Sequence, residues 1–278
     1  MEAGGLRTAV EVTGVGPLVV LMHGGIANRS IWRPQVEALR HDYTVLTYDL
    51  RGHGDTRTIE HRSGPGAAGA TRIDAYPPRL YAEDLEALVE ALELEPFALV
   101  GLSLGGLIAQ EYALANPGRV RALVIADSWV VTVASRPGRL LGRALTPVVA
   151  GGLSVLGTRP LGRLARAGIN GGRGEEAALS GEATASTDRQ EAVRVFRGLA
   201  FHDTRDRLPL ITAPTMVIVG ERDRSRAQSQ LMARLIEGAE LVQLTGAGHN
   251  TNLQRPAEFS AAVLGFLKRV HRPVDPHR

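Results

Sequence analysis

The sequence predicts an α/β fold: a mostly parallel sheet with helices on both faces, interrupted by an inserted helical cap. Three observations carry this. Short apolar runs rich in β-branched residues recur along the 278 residues, each followed by turn residues and then a helix-periodic stretch. Within those runs consecutive positions are apolar, as in strands covered on both faces. One long segment, residues 129–205, lacks any such run and mixes short helical patches with glycine and proline. The expected division is 1–128 for the first part of the core, 129–205 for the cap and 206–278 for the second part of the core.

In chain order, "LRTAVEV" (Leu6–Val12) alternates apolar and polar residues and fits an antiparallel edge strand. Strands are then expected at Leu18–Met22, Thr44–Asp49, Phe97–Gly101, Ala122–Asp127, Thr215–Gly220 and Leu241–Thr245. Helices are expected at Ser30–Arg40, Tyr81–Leu92, Leu104–Asn116, Arg226–Glu237 and Ala257–Val270. Such alternation is the signature of helices packed on both sides of a sheet. Arg57–Arg79, rich in glycine, proline and charge, reads as a long surface loop.

Composition removes whole classes of chemistry. There is no cysteine, so there is no disulfide framework, zinc–thiolate site or cysteine nucleophile. Lys268 is the sole lysine and no G-K-[ST] occurs, which excludes a P-loop and argues against a lysine Schiff base. "GPGAAG" (Gly64–Gly69) spells a dinucleotide fingerprint, but neither a strand pattern before it nor a helix pattern after it is present. No cofactor and no metal are expected. The pI of 9.7 invites a nucleic-acid reading. A net charge of only +3 and 4% aromatics, too few for a base-stacking platform, weigh against it. Arginine almost wholly replaces lysine, as a GC-rich genome would encode. Residues 129–205 hold eleven arginines against six acidic residues, a solvated surface or, more sharply, an attraction for anionic substrates. The longest uncharged run, Ala144–Thr158, is shorter than the roughly 18–20 residues that span a bilayer. Its glycines point instead to a mobile lid over an apolar pocket. With no apolar stretch after a basic start at the N-terminus, a cytoplasmic location is expected.

The chemistry centres on "VGLSLGG". Ser103 stands between Gly101 and Gly105, after an apolar strand pattern and before a helical one. A serine at such a tight strand-to-helix turn projects its hydroxyl from the C-terminal sheet edge, and only small residues two positions away avoid clashes. A serine hydroxyl needs a base. Of eight histidines, His41, His61, His271 and His277 sit in polar stretches and are expected in solvent, and His202 falls in the cap. His23 ("HGG") and His53 ("RGHG") read as braces of loop backbone. His249, in "GAGHN" after the last strand, reaches the same edge as Ser103. The acid that orients it is Asp223, after "TMVIVG", with Asp127, after "ALVIAD", as competitor.

The order Ser103, Asp223, His249, with "LMHGG", "YDLRGHG", "VGLSLGG", "NPGRVRALVIADS", "VIVGERD" and "GAGHNTNLQRPAEF" in sequence, resembles the α/β-hydrolase fold family, esterase/lactonase type with a helical cap. The resemblance runs from about Leu6 to Val270; Arg224 departs from it, standing where a proline is common. It implies a serine hydrolase that cleaves a small carboxylic ester or lactone through an acyl-enzyme. The oxyanion hole would take the backbone N–H of Leu104 and that of Gly25, with Ile26 the alternative. Ile26 and Trp129 would line the substrate, hinge packing being the other role open to Trp129. Thioesterase and carbon–carbon hydrolase remain alternatives, though the latter often carries "HGGGPG" where this chain has "HGGIAN". More remote is a non-catalytic receptor using the same pocket.

Overall fold

The computed structural model describes residues 1–59, 74–132, 187–200 and 202–271, with residues 151–152, 155–156, 158–160, 163, 181 and 184. Most of the expected cap, the "GPGAAG" stretch, the expected lid run apart from a few residues, His61 and His277 lie outside the described residues.

The main sheet has seven strands: β3 (Val10–Thr13), β4 (Leu18–Met22), β5 (Thr44–Tyr48), β7 (Phe97–Leu102), β8 (Val120–Ala126), β9 (Thr215–Gly220) and β10 (Glu240–Leu244), in the order β10-β9-β8-β7-β4-β5-β3. All pair in parallel except β3, which runs antiparallel to β5. The "LRTAVEV" stretch is not one strand. It breaks after Arg7: β1 (Glu2–Ala3), β2 (Leu6–Arg7) and β6 (Arg57–Thr58) form a separate small antiparallel sheet, and only Val10–Thr13 joins the main one. Its alternation suits either edge, so pattern alone does not reveal the break.

Side-chain alternation sorts the core into two layers. Val19, Leu21, Val45, Val100, Val124 and Ile218 pack on one face with Trp32, Leu39, Phe259 and Phe266. These come from the turn Arg29–Trp32, α1 (Arg33–Leu39) and α7 (Pro256–Val270). Val20, Met22, Leu46, Leu99, Leu123 and Val217 pack on the other face with Tyr81, Leu85, Ile108, Tyr112 and Met232. Their helices are α2 (Pro78–Ala91), α3 (Leu104–Ala115) and α5 (Arg226–Leu235). Each fully buried large apolar side chain contributes about 1.5–3 kcal/mol. Helix α2 begins at Pro78, inside the stretch read as loop, because proline fits the first helical turn, where its missing N–H costs nothing.

Two positions in the topology place the site. The chain visits β5 on one side of β4 and then crosses to β7 on the other, so the turns after β4 and β7 open side by side at the C-terminal edge. That reversal point is where open α/β sheets bind ligands. Further along the same edge, the two stems of the expected cap are paired. Val131 and Asp203 form an antiparallel bridge, Thr132 N–H donates to His202 O (3.1 Å) and Thr204 N–H to Val130 O (3.0 Å). Gln110 holds both stems, donating to Trp129 O (2.8 Å) and accepting from the Thr204 hydroxyl (2.6 Å). The return into the core includes α4 (Arg189–Leu199), capped by the Asp188 carboxylate and packed so closely on Tyr76 that Gly198 has no room for a Cβ. Among the described residues, no helix is long and apolar enough to cross a membrane.

Candidate active site

Ser103 occupies the sharp turn between β7 and α3, with φ 56° and ψ −112°. A non-glycine residue in that region carries strain, and such strain persists only where the surroundings enforce it. Here they do. Ser103 N–H donates to Ala126 O (2.9 Å), and its carbonyl accepts from the Ser128 hydroxyl (2.8 Å). The flanking glycines are sterically required. A Cβ on Gly101 would lie 2.7 Å from Gly106 N, and one on Gly105 would lie 2.8 Å from the Met22 carbonyl carbon and 2.9 Å from His23 O. The α3 N-terminus, with its free N–H groups, begins immediately after the serine.

The loops after β9 and β10 bring Asp223 and His249 to this hydroxyl. His249 Nε2 lies 3.0 Å from Ser103 Oγ, and Nδ1 lies 3.0 Å from Asp223 Oδ2. Asp223 also accepts from the Ser225 N–H (2.9 Å) and the Ser225 hydroxyl (2.8 Å). Burial opposes charge on both partners. For Asp223 the His249 bond and the Ser225 donors prevail and hold its carboxyl below the usual carboxylate value. For His249 the bond to Asp223 and the charges of Asp223 and Asp127 prevail and raise its pKa. Asp127, the competitor, makes no bond to the imidazole. Fully buried, its carboxyl is pushed up to about 8, and it accepts from Gly220 N–H, Thr251 N–H and the Thr251 hydroxyl.

The turn after β4 approaches from the far side. A Cβ on Gly24 would lie 3.3 Å from Ser103 Cβ, which measures how closely this turn abuts the serine. His23 and His53 brace it, as their sequence context suggests. His53 Nε2 accepts the Ile26 N–H (3.1 Å) while Nδ1 donates to Arg51 O (2.8 Å). His23 Nε2 accepts the Leu50 N–H (3.0 Å) and Nδ1 donates to Gly24 O (2.7 Å). Burial lowers His23 to about 4 and His53 to about 3, so both stay neutral acceptors near neutral pH. The Ile26 N–H is thus committed to His53, and Ile26 is held at φ 49°. Trp129 reaches the site: its ring centre lies 5.0 Å from that of His249. His271 does not behave as expected; its ring packs on Tyr43 at 5.8 Å, and burial lowers its pKa.

Residues 19–262 match the family described as the alpha/beta hydrolase family. This chain belongs to the alpha/beta hydrolase family. The chain is 26% identical over 270 residues to 3-oxoadipate enol-lactonase 1 of Acinetobacter baylyi, covering 96% of this chain and 95% of that protein. It is 32% identical over 285 residues to a part of polyketide synthase ThaQ of Burkholderia thailandensis, covering 98% of this chain and 13% of that much longer protein. Among solved structures, a thermophilic esterase from Thermogutta terrifontis superposes with a TM-score of 0.81 at 26% identity, covering 96% of this chain and 95% of that one.

Within this alpha/beta hydrolase, several residues at the site escape a reading of the sequence. Ser225 completes the Asp223 environment; the D-x-S spacing is a local signal, since an Asp side chain readily accepts from the backbone two residues on. Gln110 and Gln228 fix the stem that carries Trp129, Gln228 accepting from Val130 and Val131 N–H at 3.4 and 3.3 Å. Their partners lie far away in sequence, so no local pattern announces them.

Proposed function

We propose that this enzyme hydrolyses small carboxylic esters or lactones by acyl transfer through Ser103. The observation that carries the reading is the unbroken chain Asp223–His249–Ser103, with both links at 3.0 Å. Ser103 Oγ attacks the carbonyl carbon as His249 Nε2 takes its proton. Asp223 accepts the Nδ1–H, fixes the tautomer and balances the imidazolium. The carbonyl oxygen, now negative, lies between the N–H groups of Leu104, at the α3 N-terminus, and Gly25. Because His53 occupies the Ile26 N–H, Gly25 is the donor assigned from that turn. One such donor is worth about 10²–10³ in rate. Collapse of the tetrahedral adduct expels the alcohol, protonated by His249. Water, deprotonated by the same imidazole, then cleaves the acyl-enzyme.

Trp129, over His249 and on a stem held by Gln110, is assigned to the substrate wall, and residues 129–205 are assigned to substrate selection. The names of the relatives, an enol-lactonase and an esterase, support the ester and lactone classes. The test is turnover of p-nitrophenyl acetate and a panel of lactones by wild type and Ser103→Ala. A phosphonate inhibitor should label Ser103 stoichiometrically. Undiminished kcat in Ser103→Ala, or labelling elsewhere, refutes the assignment.

A further inference from the structure

Asp127 is a buried carboxyl group that the acyl-transfer scheme does not use. It follows β8 directly and sits in the left-handed region at φ 47°, a conformation that costs energy for a residue other than glycine. Its backbone N–H continues the sheet ladder to Ile218 O (2.9 Å). Its side chain then spans two different loops. Oδ1 accepts the N–H of Gly220 (3.1 Å), at the end of β9 and three residues before Asp223. Oδ2 accepts both the N–H (2.8 Å) and the hydroxyl (2.7 Å) of Thr251, two residues after His249 and the first residue of α6 (Thr251–Gln254). One carboxyl group therefore ties the loop that carries the acid to the loop that carries the base. Thr251 and Asp127 are both fully buried, so no solvent replaces these bonds when they break.

Other bonds hold the same stretch: Asn252, beside Thr251, donates to Ile31 O (2.9 Å) and its carbonyl accepts from Gln35 Nε2 (2.9 Å), but these run to the turn before α1 and to α1, not to the loop that carries Asp223. Glu221 accepts the Gly246 N–H (2.7 Å) and Arg222 N–H donates to Ala247 O (2.8 Å). Both join the two loops before His249 in the chain. The bonds to Asp127 restrain the segment after it. The chain is thus bonded to its surroundings on both sides of His249.

We propose that Asp127 is a positioning residue for His249, acting through Thr251. The proposal rests on the acyl-transfer roles assigned to Ser103 and His249. Because 1 Å of misplacement costs about 10² in rate, loosening this link lowers turnover far more than binding.

The test separates positioning from mere support of the fold by counting competent sites. In Asp127→Asn the amide keeps one acceptor oxygen and turns an N–H₂ toward one of the two sets of donors. The kcat for p-nitrophenyl acetate, per site labelled by a fluorescent phosphonate, should fall about 10²-fold while KM stays within about threefold. A residue that only supports the fold would reduce the number of labelled sites and leave kcat per site unchanged. That result overturns the proposal. If Asp127→Asn does not fold, the Thr251 pair decides. Thr251→Val, of equal shape but without the hydroxyl, should lose at least about fivefold in kcat per site. Thr251→Ser, which keeps the hydroxyl, should remain within about twofold of wild type. Equal kcat per site in these two variants overturns the proposal. Ser103→Ala, run in parallel, keeps the two readings apart. Should it remain active, the acyl-transfer scheme falls; should it be inactive while the Asp127 and Thr251 variants turn over normally per site, only the role of Asp127 falls.

Discussion

Two glycines adjoin the site, Gly105 two residues after Ser103 and Gly25 beside the Leu104 side chain, and the structure predicts opposite outcomes for adding one methyl group to each. In Gly105→Ala the new Cβ meets backbone: the Met22 carbonyl carbon at 2.8 Å and His23 O at 2.9 Å. The Met22 carbonyl oxygen lies closer still, so relaxing these contacts to ordinary van der Waals distance requires a shift of roughly an ångström between α3 and the end of β4. Neither side can yield by rotating a side chain. Overpacking of this kind costs about 1–3 kcal/mol of stability. It also displaces the turn that carries Gly25 relative to Ser103, and losing one oxyanion donor costs about 10²–10³ in rate. In Gly25→Ala the nearest atoms are side-chain carbons of Leu104 and Val195, all at 3.8 Å, and its φ is not left-handed. That methyl group fits, and its N–H stays where it was. We therefore expect Gly105→Ala to lose at least about 10² in kcat/KM for p-nitrophenyl acetate and to unfold at lower urea, whereas Gly25→Ala loses less than about tenfold. Steady-state kinetics and urea melts on the purified variants read both quantities. If Gly25→Ala proves the more damaging, or Gly105→Ala is as active as wild type, the steric reasoning fails.

As base, His249 must be neutral, and its pKa is raised above the ordinary 6.5, so kcat/KM should climb with pH through an apparent pKa above that value; a flat profile from pH 5 to 9 would remove His249 from the role. Asp223→Asn should lower kcat about 10⁴-fold and lower that apparent pKa, while Asp223→Asn with unchanged kinetics would hand the role of acid to another residue. His53 titrates near 3 folded and at 6.5 unfolded, so the stability it contributes is complete above 6.5 and lost as pH falls toward 3. His53→Gln should accordingly reduce the slope of urea stability against pH between 4 and 6 by about 1.4 kcal/mol per pH unit; an unchanged slope would mean that His53 is accessible to protons in the fold. Shortening Arg139–Arg173 should alter KM and substrate preference yet leave slow hydrolysis of a small acetate ester, and complete loss with the fold intact would place catalytic groups in that segment.

The strands were legible because burial on both faces leaves an unmistakable apolar run, and two packed layers are what such runs need. The same logic failed at the edges. "LRTAVEV" alternates across a break that only the pairing partners reveal, and the double proline at Pro77–Pro78 reads as loop although it opens a helix. The serine turn was legible because its steric demands are local, met by Gly101 and Gly105 within two residues of Ser103. Asp127 shows the opposite case. It stands at the end of a strand on the same edge as Asp223, and both have a buried carboxylate. What separates them is where the donors lie: Asp127 is saturated by Gly220 and Thr251, whereas Asp223 has an oxygen for His249. That difference is one of three-dimensional register, and no short motif encodes it.

The paired stems at Val131 and Asp203 carry a consequence for how such an enzyme diversifies. The ends of everything between them are already brought together by the bridge and by Gln110, independent of what the intervening chain does. A closed loop pays only about 0.6 kcal/mol for each doubling of its length, so the segment can be lengthened, shortened or exchanged at little thermodynamic expense to the core. Thr132 and His202 are therefore the natural splice points for chimaeras: a segment from another enzyme, grafted there, inherits an anchored entrance and exit. Under the substrate-selecting role proposed for residues 129–205, selectivity can then change through recombination while Ser103, His249 and Asp223 stay on loops of the core sheet.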